Sequence, residues 1–128
     1  MTDDKYIKEA LKTESLDIDK ILWRVSDEKC IRALHAVLGL ATESAELADV
    51  FKKHIFYGKE IDWVNVEEEL GDIFWYAAIL TDVLGKDSFS GSMSKNIEKL
   101  AARYKGQTFT EDSALNRNLD VEREILEK

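Results

Sequence analysis

Not one proline interrupts the 128 residues of this chain. Proline is the strongest helix breaker. Its absence, beside only six glycines and many Ala, Leu, Glu and Lys residues, favours long helices and an all-α fold. The main helix is expected from about Asp27 to Phe56. Ser26 or Asp27 can cap its start, and Tyr57-Gly58-Lys59 closes it at a glycine suited to a helix stop. Along it Ile31, Leu34, Leu38, Ala41, Ala45 and Ala48 recur at helical period. Val37, Leu40, Leu47 and Phe51 widen that seam, and so broad an apolar surface calls for more than one partner helix.

A second long helix is expected from Asp62 to about Leu84, stopping at Gly85. Every residue from Ile73 to Leu80 is apolar, so this stretch should be buried on most sides. Asp72 stands at its entrance and should be only partly solvated. The short connection around Gly58 to Ile61 makes the two helices an antiparallel hairpin. Shorter helices are expected at about Tyr6 to Leu11, Asp17 to Arg24, Ser92 to Tyr104 and Val121 to Leu126. The architecture expected is a four- to five-helix bundle around the hairpin, completed by oligomerisation. The whole chain reads as a single domain, 1–128, with a core at about 27–104 and a tail at 105–128.

The chemistry lies in two acidic pairs, Glu43 with Glu46 and Glu69 with Asp72. Residues three apart share a helix face. Each pair lies roughly 10–15 Å from the hairpin turn at ~1.5 Å rise per residue, so the two stand level across the interface. Clustered carboxylates repel and are costly to bury, and a hard divalent cation is the usual remedy. An isolated Glu-x-x-Glu is ordinary on an acidic helix. The dipole at a helix start also accounts for Glu67, Glu68 and Glu69. Asp72, set later and against the apolar run, has no such excuse. The pattern points to a Mg²⁺ site, and through it to phosphate chemistry.

Other readings are narrowed by the same sequence. A formal net charge of −8 argues against a nucleic-acid partner, which calls for a basic stripe. No apolar run is long enough to span a bilayer, so no membrane partner is expected. The lone Cys30 fits a reducing compartment, and the polar opening residues lack a signal-peptide core. A cytoplasmic protein is the expectation. A di-iron bundle would want a histidine three residues after a glutamate, which neither His35 nor His54 provides. A non-catalytic helical interaction or regulatory protein is the other alternative, and it predicts a lost acid.

With these residues in view, the chain resembles the MazG-like all-α nucleoside triphosphate pyrophosphohydrolases, relatives of the dimeric dUTPases and dCTP pyrophosphatases. Glu43 and Glu46, then Glu69 and Asp72, match that family's Glu-x-x-Glu and Glu-x-x-Asp. Flanking stretches from His35, Lys53, Glu68, Asn96 and Ala114 extend the likeness over about residues 30 to 118. The resemblance implies cleavage between the α- and β-phosphates of a nucleoside triphosphate, giving monophosphate and pyrophosphate. Deoxynucleotides are the implied substrates, with dGTP and dCTP among the candidates, and nucleotide-pool control or house-cleaning is the implied role. It implies Mg²⁺, with Mn²⁺ as a substitute, held by Glu43, Glu46, Glu69 and Asp72. Which of the four is the general base stays open. Lys53, Lys99 and Arg103 become phosphate contacts, against the plainer reading of a solvated charged face. Tyr76, Asn96 and His35 become nucleoside contacts. Tyr76 reads equally as a core aromatic, and His35 as a core histidine. Trp23, Trp63 and Trp75 read as core or interface, and Cys30 as a buried thiol. A homodimer or homotetramer is implied.

Overall fold

The computed structural model describes residues 2–128. The described residues form seven α-helices and no strand: α1 (Asp3–Leu11), α2 (Ile18–Val25), α3 (Glu28–Tyr57), α4 (Trp63–Val83), α5 (Ser90–Arg103), α6 (Glu111–Leu115) and α7 (Leu119–Glu127). A single 3₁₀ turn, Lys105–Gln107, follows α5. The all-α class is as the sequence implies. Six of the seven helices fall where the sequence places them, and the seventh, α6, forms in what reads as a charged tail. Thr110 Oγ1 accepts from the Ser113 N–H at 3.1 Å, which starts α6.

The ends of the hairpin follow their sequence signals. Asp27 caps α3 by accepting from the Cys30 N–H at 2.8 Å. Gly58 ends it in the left-handed region (φ +70°), with its N–H on the His54 carbonyl and the Lys59 N–H on that of Lys53. Asp62 Oδ1 accepts from the Val64 and Asn65 N–H groups and starts α4.

The residues divide into two compact units, one ending at Val83 and the other running Leu84–Lys128. The division falls ahead of α5, a helix that the sequence reading groups with the core. In the first unit α3 packs on α4, and α2 packs on α3. In the second α5 packs on α7.

Packing within α3 differs from the expected seam. The face turned to α4 carries Ala36 and Gly39, both buried. Small residues admit a close neighbour, and α4 takes that side. Ile31, Leu34 and Leu38 of the expected seam are left exposed. So is part of the apolar run of α4, where Phe74 is 58% and Trp75 is 56% exposed. That run is therefore covered on one side, not on most sides, because one hairpin partner covers only one stripe of a helix. Trp23 and Trp63 are exposed too, and Cys30 is an exposed thiol, not a buried one.

Candidate metal centre

Three pairings fix the register of the hairpin. Arg32 forms an ion pair with Asp82, Gly39 faces Tyr76, and the Phe51 and Trp63 rings meet edge to face at 6.4 Å. Each step along α3 is matched by a step back along α4. Midway, Glu43 on α3 meets Glu69 and Asp72 on α4. One carboxylate oxygen from each of the three lies within 4.8 Å of the other two.

Gly39 explains how the helices come so close there. A Cβ built on it would stand between 2.1 and 2.3 Å from atoms of the Tyr76 ring. Only glycine lets that ring lie flush on the α3 backbone. Glu43 follows Gly39 by one turn and Asp72 precedes Tyr76 by one turn, so this contact also sets the distance between the acids. The His35 ring leans edge-on against Tyr76 at 5.6 Å and against Trp75 at 6.3 Å. Tyr76 is thus a half-buried packing aromatic beside the cluster, and His35 is exposed instead of core.

The cluster is electrostatically incomplete. Glu69 is only 7% exposed. Burial pushes the Glu43 carboxyl above its ordinary range, and Glu69, Glu46 and Asp72 add to the upward push. The Thr42 hydroxyl, donating to Glu43 Oε1 at 3.2 Å, opposes it. Among the described residues no lysine, arginine or histidine forms an ion pair with Glu43, Glu69 or Asp72. The donor set, all carboxylate oxygen, suits a hard divalent cation. Oxygens on Mg²⁺ at ~2.1 Å bonds stand at most about 4.2 Å apart, so groups lying within 4.8 Å of one another need only a small inward turn to share one ion.

Glu46 lies outside this tight group. It is exposed and lines, with Glu69, Asn65, Asp49 and Lys53, an open cleft of about 310 Å³ along the hairpin. Lys53 reaches that cleft and also a smaller one nearer the turn, lined in addition by Lys59 and Asp62. Asp49 pairs with both Lys52 and Lys53, whose ammonium groups hold its carboxyl down at about 2.

The remaining expected contacts belong to the second unit. Asn96 is exposed on α5, and Lys99 is half-buried there. Arg103 is already engaged: its Nε and Nη2 donate to the two oxygens of Glu122 at 2.9 and 2.7 Å. Arg117 grips the same carboxylate at 3.2 and 2.6 Å. The pair holds the Glu122 carboxyl at about 2. In this structure Arg103 therefore serves a buried ion pair.

Several of these features escape a reading of sequence. Gly39 looks like an unremarked helical glycine. Glu122 looks like one acid among many in a charged tail. Asn65 offers a fainter signal, an amide one helical turn before Glu69. It donates to Glu69 Oε1 at 2.6 Å.

Residues 33–108 match the MazG nucleotide pyrophosphohydrolase domain, a stretch that holds all ten candidate site residues. The chain belongs to that family, and nucleotide pyrophosphohydrolase activity is the general chemistry the family carries. Comparison with curated proteins and with solved structures gave no match. No described helix is long and apolar enough to cross a membrane.

Proposed function

We propose that the protein is a Mg²⁺-dependent nucleoside triphosphate pyrophosphohydrolase, with deoxynucleotides favoured. The observation that carries this reading is the meeting of Glu43, Glu69 and Asp72 with no cationic partner among the described residues. These three would hold the ion, and Mn²⁺ would substitute for it. When bound, the ion supplies charge neutralisation for the phosphate oxygens and a more acidic water. Glu46, outside the cluster but in the cleft that Glu69 also lines, would then be free to accept a proton from the attacking water. Lys53, in the same cleft, can leave Asp49 for a substrate phosphate. Cleavage falls between the α- and β-phosphates, and nucleotide-pool control is the role such a reaction serves.

The same reading includes a homodimer or homotetramer. Leu34, Leu38, Phe74 and Trp75 leave a broad apolar area uncovered on the hairpin. Such patches on a small chain mark association surfaces. Sedimentation at micromolar concentration tests this, and a stable monomer would contradict it.

For the activity, the decisive experiment is incubation of the protein with a panel of ribo- and deoxynucleoside triphosphates and Mg²⁺. The expected products are monophosphate and pyrophosphate, lost on chelation. Release of orthophosphate and diphosphate, or no reaction with any triphosphate, contradicts the proposal.

A further inference from the structure

Glu69 is the most buried acid of the cluster, and its side chain has a single protein donor among the described residues, the Asn65 amide. Asn65 sits in the first turn of α4, half-buried, with its own N–H anchored on Asp62 Oδ1 at 3.2 Å. Its backbone is thus fixed by Asp62 and its side chain by Glu69. It also lines both clefts of the hairpin.

The chemistry of the donor matters. A lysine or arginine at this position would orient Glu69 but neutralise it, and so compete with a cation. An aspartate would add a further like charge. An amide fixes one oxygen by hydrogen bonding and leaves the full negative charge to the cluster. We infer that Asn65 is a positioning residue for the cation site: it claims Glu69 Oε1 and so turns the other oxygen toward Glu43 and Asp72. This rests on the metal reading of the preceding section and names a residue that supports a ligand without touching the ion.

The test compares native protein with Asn65→Ala. Alanine is the better helix former, so the variant should keep α4. The internal control is Asn116→Ala, since Asn116 makes the same one-turn amide–carboxylate bond, to Asp112 at 2.6 Å, in the second unit. Mn²⁺ binding to each metal-free protein is measured by calorimetry without nucleotide, with a thermal melt in chelator alongside. Loss of an outer-shell partner of a metal ligand costs about 10–100-fold in affinity. The expected result is weakening of that order for Asn65→Ala, an unchanged affinity for Asn116→Ala and little change in either metal-free melt. Mn²⁺ affinity within twofold of native in Asn65→Ala, or an equal loss in both variants, overturns the inference alone. Absence of Mn²⁺ binding by the native protein overturns the metal reading and this inference together.

Discussion

Two carboxylates, Glu69 in the hairpin and Glu122 in α7, are buried to nearly the same degree, at 7% and 4% exposure. Their surroundings are opposite. Glu122 is clamped by the guanidinium groups of Arg103 and Arg117, and its carboxyl is held at about 2. Glu69 has one neutral amide and two further carboxylates for company. A buried charge needs compensation. At Glu122 the protein supplies it, and the result is a joint between α5 and α7. At Glu69 no cationic side chain among the described residues supplies it, and that deficit is what the proposed cation would make good.

Removing one charge from each place should therefore have contrary effects. Asp72→Asn should lower pyrophosphate release by more than about 100-fold, since loss of an outer-shell partner alone costs ~10–100-fold. The same change relieves repulsion, so the melting temperature in chelator should hold or rise. A steady-state assay and a melt check both halves. A fall in metal-free stability would mean that the cluster is a structural joint like the arginine clamp.

Gly39→Ala sharpens the contrast from the packing side. The added Cβ collides with the Tyr76 ring, and overpacking of this kind costs about 1–3 kcal/mol. Denaturant unfolding should register that loss. Because Gly39 and Tyr76 each stand one turn from a cluster acid, metal affinity should fall as well. Protection of α5 and α7 amides from hydrogen exchange should not change.

A smaller effect is expected at Glu122. Its carboxyl is depressed from an ordinary 4.5 to about 2, chiefly by Arg103 and then by Arg117. A depressed acid stabilises the folded state above its unfolded value and loses that contribution as pH falls through the folded one. The contribution is whole above about 4.5 and disappears toward 2. Glu122→Gln should lower the melting temperature by several degrees at neutral pH and flatten its pH dependence across that window. An unchanged acid limb in circular dichroism would contradict the clamp.

The hairpin was legible because its signals are local. Asp27, Gly58 and Asp62 cap and stop helices through neighbours a few residues away, and those bonds form as expected. Equal distance from a short turn is likewise enough to set Glu43 against Glu69 and Asp72. What escaped depends on three dimensions. Which stripe of α3 faces α4 was hidden, since Ala36 and Gly39 win by being small while the larger Leu34 and Leu38 stay uncovered. That Glu46 stands apart from the other acids follows from helix rotation, which spacing alone leaves undefined. Arg103 and Glu122 lie far apart in sequence, and nothing local marks them as partners.

The central claim is that Glu43, Glu69 and Asp72 share a divalent cation. Calorimetric titration of the metal-free native protein with Mn²⁺, repeated on Asp72→Asn, tests it most directly. The account predicts saturable binding by the native chain and its loss in the variant. Binding that is equal in both, or absent from the native protein, would contradict it.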